Sequence, residues 1–232
     1  MKPIVCYVTD RKPLALPPGI DPTATLLEKI RMTAGAGADW IQIREKDLRG
    51  GPLLALAREA VASTREIAQK AGGAETRVYV NDRLDVALAA GAAGIHLGGE
   101  SLPVADVARW RRSGKTPAEF HIGVSCHSME SAREAERDGA NYIFFGPVFE
   151  TPSKRAFGPP QGLERLREVS EAIRIPVIAI GGVNKTNAEE CIRAGASGIA
   201  AIRLFQEAAD AEKLKKFIST LHGLGDAVRS AR

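Results

Sequence analysis

Four short stretches of the chain resemble one another, and they narrow the possible folds more than any other feature. Ala34-Gly35-Ala36-Gly37-Ala38-Asp39 runs into Trp40-Ile41-Gln42-Ile43, and Ala90-Gly91-Ala92-Ala93-Gly94 into Ile95-His96-Leu97. Asp138-Gly139-Ala140-Asn141 runs into Tyr142-Ile143-Phe144-Phe145, and Ala194-Gly195-Ala196-Ser197-Gly198 into Ile199-Ala200-Ala201-Ile202. Each reads as a helix closing on a glycine in the left-handed conformation, followed by a tight turn into a buried strand. Four more apolar runs lie between them, so strands are predicted to begin near 4, 40, 77, 95, 120, 142, 176 and 199.

The intervals carry helical patterns. Leu53, Leu54, Leu56, Ala57, Ala60 and Val61 recur at helical spacing, as do Leu163, Leu166, Val169, Ala172 and Ile173. Asp21 caps the first helix, and Pro103 and Thr186 stand where later helices are predicted to start. Eight strand–helix units in 232 residues, about 29 per unit, predict an α/β chain folded as a single (β/α)8 TIM barrel over residues 1–232. An open doubly wound sheet is the alternative, but the first strand ends in Val8-Thr9-Asp10 with no GxGxxG.

Composition excludes several classes. With 44% hydrophobic residues and a net charge of +4, the chain can bury a core and is not a disordered polyelectrolyte. Its three cysteines, Cys6, Cys126 and Cys191, are widely spaced and odd in number, which predicts free thiols in a reducing compartment. No apolar run approaches a membrane span, and Met1 to Val8 is too short for a secretory signal, so a cytoplasmic location is expected. The basic residues are dispersed. Their densest cluster, Arg109, Arg111, Arg112 and Lys115 at a helix end, reads as a solvated face, with an anion patch as the alternative, so no nucleic-acid partner and no membrane partner is expected. A homo-oligomer is compatible with this composition.

In a (β/α)8 barrel the chemistry belongs to the loops after the strands. Those strand ends and loops hold Thr9-Asp10, Gln42 to Asp47, Asn81-Asp82-Arg83, His96 to Ser101, Gly123 to Ser128, Gly146 to Lys154, Gly181 to Asn184, and Arg203. Alternation places Ile41 and Ile43 on the buried outer face of the second strand and turns Gln42, Arg44 and Lys46 into the barrel mouth. Two cations there call for an anionic ligand, unless they are loop charges in solvent. Gly181-Gly182 reads either as a phosphate-approaching loop or as a tight turn, and Arg203 would add about 1.5–3 kcal/mol to binding of the same phosphate if well aligned. Asp82 and Glu100 are candidate Mg2+ ligands, or else caps and ion-pair partners, since magnesium uses one or two carboxylates plus phosphate oxygens. The four histidines show no zinc spacing; His127 is singled out by its place near Ser125, and His222 reads as a surface helix residue.

These motifs, in this order, resemble the thiamine phosphate synthase family from about residue 5 to 207. The resemblance rests on Thr9-Asp10, Gln42-Ile43-Arg44-Glu45-Lys46-Asp47, Asn81-Asp82-Arg83, His96-Leu97-Gly98, Gly123 to Ser128, Phe145 to Lys154 and Ala179 to Val183. It implies a transferase of thiamine biosynthesis that joins a small pyrimidine carrying a pyrophosphate to a thiazole phosphate, giving thiamine phosphate. It also implies that Gln42, Arg44, Lys46, Asn81, Ser125 and Lys154 hold the pyrimidine pyrophosphate, with Arg44, Lys46, Ser125, Lys154 and His127 as catalytic candidates. Mg2+ is the implied cofactor, on Asp82, with either Glu100 turned inward or water completing its shell. The thiazole phosphate falls to Thr151, Ser153, Gly181, Gly182, Ile202 and Arg203. Two departures from the family pattern stand out: Ser101 replaces an expected second carboxylate, and Ile202-Arg203 replaces an expected serine. A thiazole tautomerase subfamily shares the barrel, and His127 fits its acid/base position, but Gln42, Lys46 and Asp82 favour the synthase. A catalytically weak phosphate-binding relative is the third reading. Residues 155–162, rich in Gly and Pro, are expected to form a mobile loop over the site.

Overall fold

The computed structural model describes residues 2–12, 19, 21–115, 117, 119–151 and 159–230. Parallel strands β1 (Ile4–Val8), β2 (Trp40–Ile43), β3 (Arg77–Asn81), β4 (Gly94–Leu97), β5 (His121–Cys126), β6 (Tyr142–Phe145), β7 (Val177–Ile180) and β8 (Gly198–Ala201) pair in sequence order, and β8 returns to β1 to close the barrel. Between and after them run α1 (Pro22–Gly35), α2 (Gly50–Ala71), α3 (Leu84–Ala89), α4 (Val104–Trp110), α5 (Met129–Asp138), α6 (Gly162–Ala172), α7 (Ala188–Arg193), α8 (Arg203–Gln206) and α9 (Ala211–Ser230). The alternation expected from the repeats is therefore the fold. Among the described residues no helix is long and apolar enough to cross a membrane.

The four repeats make one turn four times. Gly37, Gly91, Gly139 and Gly195 have φ between +65° and +99°, the left-handed region that an L side chain resists. The residue that enters the strand then donates its N–H to the preceding strand: Asp39 to Val5 O at 3.0 Å, Ala93 to Val78 O at 2.8 Å, Asn141 to Ile122 O at 2.7 Å and Ser197 to Val177 O at 2.8 Å. A local sequence signal thus sets the register of every second strand.

Alternation divides the core in two. Outward residues such as Val5, Ile41, Val80, Ile95 and Ile143 pack under the helices, while Cys6, Val8, Trp40, Tyr79, Tyr142, Phe144, Ile178 and Ala200 fill the barrel itself. The rings interleave, with Trp40–Tyr142 centroids 4.7 Å apart and Tyr79–Tyr142 5.4 Å apart. They fit because other inward positions have no side chain. A Cβ on Gly94 would collide with the His121 carbonyl, one on Gly123 with the Tyr142 ring, and one on Gly198 with the Ile4 carbonyl. Gly94 and Gly198 therefore begin their strands, one residue before the apolar runs that mark them in the sequence. Pro176, expected to open β7, precedes it and pairs only through its carbonyl, which accepts from Ile143 N at 3.0 Å.

Two surface readings are corrected. Arg111 is half-buried: it donates to Asn141 Oδ1, to Phe120 O at 3.2 Å and to Gly139 O at 3.4 Å, tying the end of α4 to the β5 and β6 entries. His222 on α9 is no free surface residue, because its Nε2 meets Asp39 Oδ2 at 2.8 Å, and Asp39 also takes Lys2 Nζ and Val5 N. Backbone atoms block Gly94, whereas Gly35 at the end of α1 faces open space. Gly94→Ala is expected to cost about 1–3 kcal/mol in urea unfolding. Gly35→Ala is expected to be neutral or to stabilise by up to about 1 kcal/mol.

Candidate active site

Polar side chains occupy the layer above the rings, at the C-terminal ends of the strands. Gln42 is buried and its Nε2 donates to Asn81 Oδ1 at 2.8 Å, while Asn81 Nδ2 donates to Asp82 Oδ2 at 2.5 Å. Asp82 Oδ1 accepts from Gly98 N at 3.2 Å and from the Ser101 hydroxyl, which also takes Gly98 N at 2.6 Å. This chain of neutral hydrogen bonds ties β2, β3 and β4 together. Asp82 has φ +61°, alone among the described non-glycine residues in being positive, a region Asp tolerates better than most. Among the described residues Asp82 forms no ion pair. Glu100 is exposed, and Ser101 is the neighbour that touches Asp82.

Arg44 is half-buried and Lys46 exposed, so desolvation of the expected cation pair falls on Arg44. The physical reason is that β2 ends at Ile43 and the chain has left the barrel before Lys46. Among the described residues neither side chain has a carboxylate partner. The carboxylate between them has two. Glu45 is buried, taking the Thr9 hydroxyl at 2.6 Å on Oε1, and Arg11 N at 3.1 Å and Arg11 Nη1 at 2.9 Å on Oε2. Arg11 also reaches Asp47 with both terminal nitrogens, at 2.9 and 3.1 Å.

His96 points inward from β4, with Nε2 3.0 Å from Ser125 Oγ and Nδ1 3.3 Å from the Tyr142 hydroxyl. Ser125 lies inside β5, which continues to Cys126, and not in the loop after it. Burial drives the His96 pKa from 6.5 down to about 3; Asp82 pulls it up and Arg44 pushes it further down. The imidazole is therefore neutral at physiological pH. His127 is exposed, and its Nδ1 bonds the Gly146 carbonyl. Its neighbour Ser128 caps α5 through a reciprocal bond pair with Ser131. Burial raises the Cys126 thiol to about 11 and Cys191 to about 12, which removes both as thiolates.

On the opposite rim, Gly181 and Gly182 have φ of +92° and +70°. A Cβ would stand 2.5 Å from Pro147 at the first and 2.7 Å from the Glu150 carbonyl at the second, so close packing under the β6 loop alone demands both glycines. Among the described residues the Gly182 N–H has no acceptor. Ile202 packs on the inner barrel cluster, Arg203 opens α8 with its side chain exposed and without an ion pair among the described residues, and Thr151 follows β6 half-buried. Ser153, Lys154 and residues 155–158 of the expected loop lie outside the described residues. The end of that loop is anchored, since Gln161 N donates to Pro147 O at 2.8 Å and Gly162 N to Val148 O at 3.0 Å.

Residues 8–205 match the thiamine monophosphate synthase family. The chain belongs to that family. A thiamine-phosphate synthase of Methanocella arvoryzae is 43% identical over 205 residues, covering 87% of this chain and 91% of the relative. One from Moorella thermoacetica is 42% identical over 201 residues, covering 85% and 90%. Among solved structures, thiamine phosphate pyrophosphorylase from Pyrococcus furiosus superposes with a TM-score of 0.77 at 33% identity, covering 95% of each chain.

Within this member of the thiamine monophosphate synthase family, the sequence reading missed Arg11, Glu45 and His96 as parts of the site. A period-two pattern in a 36-residue-distant strand pair was the only signal for the Glu45–Thr9 contact, and Thr9 looked like an ordinary strand end. His96 is expected to shape the acid limb of stability. Its folded pKa lies below the unfolded value, so the unfolded chain binds the extra proton and stability falls as pH drops from about 6.5 toward 3, by at most about 1.4 kcal/mol per pH unit. His96→Gln should flatten that part of the slope in urea unfolding measured between those limits; an unchanged slope would show that His96 titrates normally.

Proposed function

We infer that this barrel catalyses thiamine phosphate synthesis from 4-amino-2-methyl-5-(diphosphooxymethyl)pyrimidine and a thiazole phosphate, as a transferase of thiamine biosynthesis. The observation that carries the reading is Arg44, half-buried just after β2 and without a carboxylate partner among the described residues, together with Asp82 at the end of β3, which likewise forms no ion pair among them; Lys46 adds a second such cation on the turn that follows. The reaction breaks the bond between the pyrimidine methylene carbon and the pyrophosphate oxygen. It forms a bond from the thiazole nitrogen to that carbon. Negative charge grows on the departing pyrophosphate and positive charge on the pyrimidine, so prearranged charges lower the barrier more than a strong base does.

Arg44, Lys46 and Lys154 take the pyrophosphate, and Gln42, Asn81 and Ser125 orient the pyrimidine end of the same substrate. His96, held neutral, positions the Ser125 hydroxyl without adding charge. Thr151, Ser153, Gly181, the Gly182 amide (without an acceptor among the described residues), Ile202 and Arg203 form the thiazole phosphate side. A carboxylate held only by neutral donors suits a cation, and among the described residues no group of three or more His, Cys, Asp or Glu makes a full cage, which fits an ion shared with substrate oxygens. Asp82, with Glu100 at the rim, would hold Mg2+, which supplies charge neutralisation at the leaving pyrophosphate when bound.

The test is product formation by the purified chain with both substrates and Mg2+. Lys154→Ala and Asp82→Ala are each expected to lower kcat by about 10²-fold or more. Absence of thiamine phosphate at every Mg2+ concentration, with accelerated isomerisation of a thiazole carboxylate tautomer that His127→Ala abolishes, would assign the tautomerase instead. Binding of both substrates without either turnover would mark a ligand-binding relative. Arg203→Ser is expected to raise KM for the thiazole phosphate about tenfold with KM for the pyrimidine substrate unchanged; equal KM values would remove Arg203 from the phosphate site.

A further inference from the structure

Glu45 is a buried carboxylate with its side chain 1% exposed, one residue from each of the two mouth cations. Strand parity turns it away from them: Ile43 faces the outer core, and Glu45 continues that face. Its two oxygens instead grip the segment that follows β1, through the Thr9 hydroxyl, the Arg11 amide and the Arg11 guanidinium. The Thr9 hydroxyl spends its proton on Glu45 and accepts the Arg44 amide at 2.9 Å, while Thr9 N donates to Gln42 O at 2.9 Å. Leu48 N closes back on Glu45 O at 3.1 Å, forming the turn that carries Lys46.

The backbone before Glu45 is thus held by Thr9, and the backbone after it by Arg11, which joins Asp47 to the same carboxylate that Thr9 meets. Only an ionised carboxylate accepts all three donors at once. An amide presents one accepting oxygen and turns an N–H2 group toward a donor. A second tie holds the same segment from its other neighbour, β8, where Gln206 Nε2 on α8 donates to Asp10 O. We propose that Glu45 is a positioning residue for pyrophosphate recognition: acting through Thr9 and Arg11, it sets the backbone from which Arg44 and Lys46 reach the pyrophosphate. The proposal rests on the placement of the pyrophosphate given above.

The experiment compares wild type, Glu45→Gln, Thr9→Val and Thr9→Ser in two assays. Calorimetric titration with inorganic pyrophosphate and Mg2+ reads the anion site alone, and steady-state kinetics reads KM for each substrate. Glu45→Gln and Thr9→Val are expected to weaken pyrophosphate binding and raise KM for the pyrimidine substrate about tenfold, with KM for the thiazole phosphate within about twofold of wild type. Thr9→Ser, which restores the hydroxyl, is expected to recover both values. Pyrophosphate affinity within twofold of wild type in both disrupted variants overturns the proposal, as does an equal rise of both KM values. Thr9→Val keeps side-chain volume and carries the test if Glu45→Gln does not fold. A wild-type chain that binds pyrophosphate but makes no product refutes the reaction and leaves the positioning role standing on the titration. A wild-type chain that binds no pyrophosphate overturns both.

Discussion

The site rests on a floor of rings that only glycine makes possible. Trp40, Tyr79, Tyr142 and Phe144 together exceed what an eight-stranded parallel barrel can hold if every inward position carries a side chain. Gly94, Gly123 and Gly198 leave the room, and the rings occupy it. Packing at this density transmits position: a ring that cannot move fixes the strand ends above it. Tyr142 shows the connection directly, since it is packed against Trp40 and Tyr79 below while its hydroxyl meets His96, which in turn meets Ser125. The apolar layer and the polar layer share that residue.

Electrostatics above the floor follows from what is paired and what is not. Burial keeps His96 neutral, so the centre of the mouth contributes hydrogen-bonding capacity without charge. Asp82 is held by an amide, a hydroxyl and a side-chain carboxamide, which orient it but do not cancel its charge. Glu45 is treated in the opposite way, fully paired and out of solvent. A buried carboxylate without Arg11 would be strongly destabilising, because removal of one partner leaves an uncompensated charge at a cost of about 3–5 kcal/mol. The two acids, both at strand ends on the same side of the barrel, thus stand in different states: Asp82 has only neutral donors around it, while Glu45 holds the chain through an ion pair.

The barrel was legible because its signals are local. A glycine with positive φ, an alanine and a short apolar run lie within ten residues of one another, and four repeats of that unit with four apolar runs between them imply eight strands before any contact is known. Gln42 and Arg44 were legible for the same reason, as period two along one strand names the residues facing the mouth. Glu45 was not, because the same alternation assigns it to the outer face and says nothing of Thr9, whose hydroxyl arrives from a strand 36 residues earlier. His222 and Asp39 meet across 183 residues, and the helix around His222 carries no sign that one of its polar residues closes the bottom of the barrel. Long-range polar pairs lack a period, so pattern reading passes over them. Gly181 and Gly182 mark the converse limit: the phosphate reading and the packing reading ask for the same residue, and only the atoms of Pro147 and Glu150 reveal that packing suffices.

Net charge looks quite different once pairing is known. The excess of +4 is spread over 32 basic and 28 acidic residues and by itself suggests a weak attraction to any polyanion. Several basic side chains near the mouth and in the cluster at the end of α4 are already engaged: Arg11 by Glu45 and Asp47, Arg83 by Asp85, Arg109 by Asp106, and Arg111 by carbonyl oxygens. A polyanion would have to compete with these partners, and surface pairs lost to such competition return little energy. Arg44, Lys46 and Arg203 have no such partner among the described residues; the first two follow β2, and the third opens α8 after β8. Cations left without a partner on separate elements offer isolated points of positive charge, not the continuous track that a phosphate backbone would need. Pairing, and not the sum of charges, decides which cations are available to an anion.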